Sequence, residues 1–199
     1  MLFLHMSNFK KSERTRQEIL DTAWKLIADE GADISLSKIA NAVGMTRQSI
    51  YVHFGSRGGL LIALVRRTDE REKIWEAFEI ALGHATAPEK LEALMRAWLD
   101  FVPKILPVAR DLIRLRSKDE EAGNAWSDRM EELRSFYQDV MTQFEKSAAL
   151  SPGLSAEKAA HFIWATSSVQ MWDLYTRDCG WNADETRSHI LRQTLSILR

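Results

Sequence analysis

The chain has 199 residues, 45% hydrophobic and 28% charged, with a formal net charge of −1. These proportions are ordinary for a globular protein and exclude disordered, collagen-like and low-complexity classes. The longest apolar run, Leu60 to Val65, is six residues against the ~20 needed to cross a bilayer, so no membrane span is expected.

The opening Met1-Leu2-Phe3-Leu4-His5-Met6 has no basic n-region and too short an apolar stretch for a signal peptide. Met6 begins a more ordinary start, which makes residues 1–5 a candidate start-site artefact. A single cysteine, Cys179, excludes an internal disulfide, and the expected compartment is the reducing cytoplasm.

Residues 1–11 read as a flexible arm. An amphipathic helix follows from Ser12 to Glu30, with Ile19, Leu20, Ala23, Trp24, Leu26 and Ile27 on one stripe and Gly31 placed to end it. Ser35 can cap a short helix to about Val43, Gly44 breaks it, and Thr46 can cap a third through His53. A long helix is expected from Arg57 to Leu82 behind Gly55-Ser56, with Gly58-Gly59 in its first turn. Pro88 suits the start of the next helix, which Pro103 and Pro107 should kink or divide, leaving a short segment from Val108 to Arg116. Three more are expected over Glu120–Ala149, Ala156–Arg177 and Ala183–Leu198. The chain is therefore read as all-α with about nine helices.

Charge is distributed unevenly along this framework. From Ile34 to Thr68 there is no Asp or Glu, while Lys38, Arg47, Arg57, Arg66 and Arg67 contribute +5. A basic stretch on an otherwise acidic chain points to a confined polyanion site. Within it, Ala42-Val43-Gly44-Met45-Thr46 forms the tight turn of a helix-turn-helix pattern. The helix after the turn offers Thr46, Arg47, Gln48, Ser49 and Tyr51, all hydrogen-bonding and none acidic. Arg47 can pair with guanine O6/N7 and Gln48 with adenine N6/N7, while Thr46 and Ser49 can reach bases or phosphates. Tyr51, His53 and Arg57 lie where a sugar-phosphate backbone could be held, and the helix start at Ser35 to Ser37 offers free N–H groups to another phosphate.

Catalysis finds little support. His5, His53, His84, His161 and His189 make no close pair at metal-ligand spacing, Cys179 has no CxxC partner, and GxSxG, P-loop and GxGxxG motifs are absent. Neither a metal nor a cofactor is expected, and the chain is read as a non-enzyme.

Ile19-Leu20-Asp21-Thr22-Ala23, Gly31, Ile39-Ala40, Val43-Gly44-Met45-Thr46 and Ile50-Tyr51-Val52-His53-Phe54-Gly55-Ser56-Arg57 together resemble the N-terminal signature of the tetracycline-repressor (TetR) family. Arg57 stands where that family usually has Lys, and Gly58-Gly59 replaces a helix-forming pair. The resemblance implies a DNA-binding domain over 1–57 and a helical effector-binding and dimerisation domain over 58–199. It also implies a homodimeric repressor, released from a palindromic double-stranded operator by a small effector.

Beyond Arg66 large side chains abound, and helical spacing makes them core in the first instance. By analogy with the family, Phe78, Trp98, Phe101, Trp126 and Trp164 are candidates to line an effector pocket for an apolar or aromatic ligand, with Arg110 or Arg114 anchoring an anionic group. The last two helices offer packing faces, a small and only partly apolar one at Phe162, Thr166, Val169 and Asp173 and a stronger apolar stripe at Ile190, Leu191 and Leu195, which the family would pack against a second copy. The alternative is a TetR-like small-molecule-binding or protein-interaction module without specific DNA binding.

Overall fold

The structure, a computed structural model, describes residues 2–30, 34–118 and 120–199, apart from the side chains of residues 2–11, 28, 121, 122 and 125. The described residues are helical in regular structure, apart from one isolated antiparallel bridge between Leu150 and Leu198. The helices are α1 (Leu2–Glu30), α2 (Leu36–Ala42), α3 (Arg47–Phe54), α4 (Arg57–Glu72), α5 (Ile74–Leu82), α6 (Ala87–Leu115), α7 (Glu120–Lys146), α8 (Ala156–Thr166), α9 (Val169–Asp173) and α10 (Ala183–Leu195), with a π-helical turn at Leu174–Asp178. No helix among the described residues is long and apolar enough to cross a membrane.

The chain folds as two compact units, one of residues 1–67 and 107–126 and the other of residues 68–106 and 127–199. In the first, α1 buries Ile19, Leu20, Ala23 and Ile27, the stripe its periodicity marks. This helix starts at Leu2, ahead of the Ser12 cap expected, while Gly31 lies outside the described residues. Ser35 caps α2 by accepting from the Lys38 N–H at 3.2 Å, and Leu36, Ile39 and Ala40 are buried. Gly44 then takes φ +68°, a left-handed conformation cheap only for glycine, and the Met45 N–H returns to the Ala40 carbonyl at 2.8 Å. Thr46 caps α3 by accepting from the Ser49 N–H at 3.1 Å.

Aromatic packing dominates the second unit. Phe78 and Phe136 stack at 5.0 Å, Trp75 meets both edge-on, and Trp98 lies 5.9 Å from Phe101. The Trp98 indole N–H donates to the Ser167 carbonyl at 2.7 Å, satisfying the one polar atom of a buried ring. Burial pushes the Tyr137 phenol far above its ordinary range.

Several boundaries depart from the sequence reading. The helix expected over Arg57–Leu82 breaks at Lys73, whose φ of 51° is left-handed. Pro103 and Pro107 do not divide α6, which runs unbroken because Phe101, Val102, Ile105, Val108, Ala109 and Leu112 are all buried around them. Burial of that many side chains outweighs the ~3 kcal/mol an interior proline costs. The helix expected over Ala156–Arg177 breaks at Ser167-Ser168. There Ser167 Oγ donates to the Ile163 carbonyl at 2.7 Å, and Ser168 caps α9 by accepting from the Met171 N–H at 3.2 Å. At the C-terminus α10 stops at Leu195 rather than Leu198, and the Ser151 and Arg199 N–H groups join the last residues to the 149–151 segment.

Candidate nucleic-acid interface

Helix α3 presents one face to the core and the opposite face to solvent. Ile50 and Phe54 are buried. At 3.6 residues per turn the positions diametrically opposite them are Gln48 and Val52, one turn apart on a single line. Gln48 is exposed, and Val52 is 77% exposed, among the most exposed large apolar side chains described. The sequence reading missed Val52 because it sought hydrogen-bonding groups. The available signal was its helical angle, with a β-branched apolar residue placed outside the core stripe.

The polar residues around this line are partly engaged with one another. Thr46 Oγ1 and Ser49 Oγ lie 2.9 Å apart, and both serve the capping turn. The Arg47 guanidinium donates to Tyr51 Oη at 2.8 Å and lies 5.3 Å from the centre of that ring. Arg47 therefore stands beside Tyr51 on the flank of α3 rather than on its outermost line. His53 is half-buried, and its carbonyl accepts from Arg16 at 2.6 Å. Ser35 is committed to its cap, while Ser37, two residues on, is exposed.

Arg57 departs most from its expected role. Its guanidinium is turned into the unit, donating to the Ile34 carbonyl and, through Nε at 3.1 Å and Nη2, to Oδ2 of Asp111 on α6. Arg114 donates through Nη2 to the other Asp111 carboxylate oxygen, Oδ1, at 2.6 Å. The Asp111 side chain is fully buried and that of Arg57 only 20% exposed. A phosphate contact at Arg57 would have to compete with this charge-assisted network.

Charge along the acid-free stretch is partly neutralised by folding. Lys38 pairs with Glu30, Arg67 with Asp21 at 2.7 Å, and Arg57 with Asp111. Three of the five cations that made Ile34–Thr68 basic thus face carboxylates from outside it, which the linear charge count could not register.

The candidate effector residues belong to both units. Phe78, Trp98 and Phe101 of the second unit, and Trp126 of the first, are at most 2% exposed. Phe78 lies 6.5 Å from Trp98, and Trp98 5.9 Å from Phe101, so these three rings pack together in the second unit. Trp164 is half-buried with its indole N–H on the Met130 carbonyl at 3.3 Å. Arg114 is held by Asp111, and Arg110 is exposed in the first unit. An open cavity of about 430 Å³ lies elsewhere in the second unit, lined by Trp75, Glu132, Ser135, Phe136 and Asp139. None of the seven candidates lines it.

The candidate dimer residues divide likewise. Val169, Ile190 and Leu191 are buried within the chain, where α8 and α10 pack together, so these apolar stripes are largely core. Thr166, Asp173 and Leu195 are half-buried, with Asp173 paired to Arg177 at 3.2 Å. Phe162 remains 40% exposed on α8, and Leu174, absent from the expected set, is 45% exposed just beyond α9. Among the described residues no group of His, Cys, Asp and Glu could hold a metal ion.

Comparison with known proteins matches residues 19–64 to the family described as bacterial regulatory proteins, tetR family. Over 75 residues, 37% of this chain and 30% of the relative, the protein is 36% identical to the HTH-type transcriptional regulator AcrR of Shigella flexneri. Over 125 residues, 59% of each chain, it is 29% identical to the HTH-type transcriptional repressor Rv1474c of Mycobacterium tuberculosis. The matches therefore span less than two thirds of either curated relative. A protein of Saccharomonospora viridis, solved in complex with choline, shares the fold at a TM-score of 0.71 and 21% identity, over 94% of this chain and 99% of that one. Residues 19–64, which hold the capped α2 and the glycine-turned α3, are thus similar to the N-terminal domain of the tetR family of bacterial regulatory proteins.

Proposed function

We propose that this protein is a homodimeric transcriptional repressor whose α3 reads the major groove of an approximately palindromic operator, and which a small molecule releases. The observation that carries the DNA reading is the outward line of Gln48 and Val52 on a helix capped at Thr46 and backed by Ile50 and Phe54. Gln48 is matched to adenine N6/N7, and the Val52 methyls to a thymine methyl, the apolar feature the major groove displays. Arg47, Tyr51, His53 and Ser37 flank that line as phosphate contacts, with Thr46 and Ser49 holding the helix start against the backbone. The fold is that of a family of regulators rather than enzymes. The effector remains a proposal, supported by the choline held in one structural neighbour.

The test is fluorescence anisotropy with DNA from the protein's own upstream region, run against random competitor across a salt series. Competitor-resistant binding is the expected result. Binding no tighter than to random DNA, repeated with oligonucleotides selected from a random pool, would leave a ligand-binding module without specific DNA recognition. Gln48→Ala is expected to lose ~1–3 kcal/mol and relax preference at one base step. Val52→Ala is expected to lose about 1 kcal/mol on operators with thymine at that step, and little when uracil removes the methyl. Equal losses on specific and random DNA would remove either residue from base reading.

For the dimer, the proposed face follows α8 and α9 through Phe162 and Leu174, with Thr166 between them. A two-fold dimer that reads such an operator presents its two α3 helices to major grooves about 34–36 Å apart, or a multiple of that. Changing both Phe162 and Leu174 to Glu is expected to weaken dimerisation by roughly 3 kcal/mol, about 100-fold in Kd, measured by sedimentation equilibrium. An unchanged dimer would move the interface elsewhere.

A further inference from the structure

We propose that the open cavity between α5 and α7 binds a small organic cation, an aryl or quaternary ammonium group. This rests on reading the second unit as ligand-binding and names the site and the chemistry it takes.

Four of the five lining residues, Glu132, Ser135, Phe136 and Asp139, are spaced i, i+3, i+4, i+7 and so form one stripe of α7. Trp75 faces them from α5, its ring meeting Phe136 edge-on at 5.7 Å. The site thus offers two aromatic rings, a hydroxyl and two carboxylates, with no lysine or arginine in its lining. The depression has a volume of about 430 Å³ and is largely open to solvent, with Glu132, Ser135 and Asp139 exposed along it.

Each ligand class meets this lining differently. An anion would be repelled by both carboxylates. A neutral apolar ligand would strip water from them and return nothing. A cation with an organic shell satisfies both components, because carboxylates neutralise its charge and ring faces attract it through their quadrupoles. Trp75 already does this within the fold, since the Arg129 guanidinium carbon lies 5.1 Å from its ring centre. That arginine is itself neutralised by Asp69 at 2.9 Å, and its contact to Glu132 is long at 3.5 Å, leaving the Glu132 carboxylate 62% exposed. Glu132 is thus only loosely paired by the protein's own cation.

The test uses the full-length protein and three soluble probes of one shape class: benzyltrimethylammonium, benzyl alcohol and benzoate. Isothermal titration reads affinity, and the Trp75 indole resonance, assigned by Trp75→Phe, reports the site. The expected result is saturable cation binding that shifts that resonance, with benzyl alcohol and benzoate at least about tenfold weaker. Glu132→Gln with Asp139→Asn is expected to weaken the cation about tenfold or more; both are exposed positions where such changes spare the core. Equal binding of benzyl alcohol, an unmoved Trp75 resonance, or full affinity in the double variant would each overturn the proposal. DNA binding without any cation is measured separately by anisotropy. Its failure would remove the repressor reading and leave the cation result standing, and the converse holds as well.

Discussion

Replacing Arg57 with alanine is expected to cost the fold about 3 kcal/mol, read as a lower urea midpoint at unchanged m. The Asp111 carboxylate is fully buried and holds Arg57 on one oxygen and Arg114 on the other. Deleting one partner of a buried pair leaves charge in a poor solvent, a loss of ~3–5 kcal/mol in comparable cases. The lower end applies, because Arg57 is 20% exposed and Arg114 keeps its bond. Arg57→Lys should recover only part of this, since one ammonium cannot reproduce a fork that spans both the Asp111 carboxylate and the Ile34 carbonyl. In the double variant with Asp111→Ala, the two losses should fall well short of adding. A residue whose work was phosphate contact would behave otherwise: stability unchanged, affinity lower on all DNA, and the salt slope reduced by about 1. Both measurements on one variant decide which role Arg57 has.

That contrast marks where the sequence is legible and where it stops being so. Caps and left-handed glycines depend on a few neighbouring residues, so Ser35, Gly44 and Thr46 could be read from the chain and stand where local chemistry puts them. Ion pairs depend on distant partners. Arg57 meets Asp111 across 54 positions, and no local pattern records that. For the same reason a stretch without acids looked more basic than it is, with Lys38 and Arg67 paired to Glu30 and Asp21. Breakers were legible as residues but not as outcomes. Pro103 and Pro107 sit in a helix held by burial of its neighbours, whereas Lys73, no strong breaker, takes the left-handed turn. Apolar stripes proved ambiguous between core and interface: Ile190 and Leu191 fill the chain's own interior, and only exposure singles out Phe162 and Leu174. On α3 the helical angle carried more information than residue chemistry. It places Gln48 and Val52 outermost, where a search for polar groups found one of the two.

Arg129→Ala is expected to destabilise the protein most, by about 4 kcal/mol and roughly 10 °C in Tm. The side chains of Arg129 and Asp69 are 5% and 7% exposed, bonded through Nε at 3.0 Å and Nη2 at 2.9 Å to one carboxylate oxygen. The guanidinium also covers a face of Trp75, so its removal leaves a void beside a large ring as well as a buried carboxylate without its cation. Arg129→Met separates these contributions. It restores most of the volume against Trp75 but no charge, so its deficit relative to wild type isolates the electrostatic part, and its gain over alanine the packing part. Adding Asp69→Asn to Arg129→Met should recover stability, because an amide is far cheaper to bury than a carboxylate that has lost this arginine. If the loss is electrostatic, it should change little between low and high salt, since a pair this buried is poorly screened. A loss below about 1 kcal/mol, or one that salt abolishes, would mean that water reaches the pair in solution and that the ring packing around Trp75 holds this unit without it.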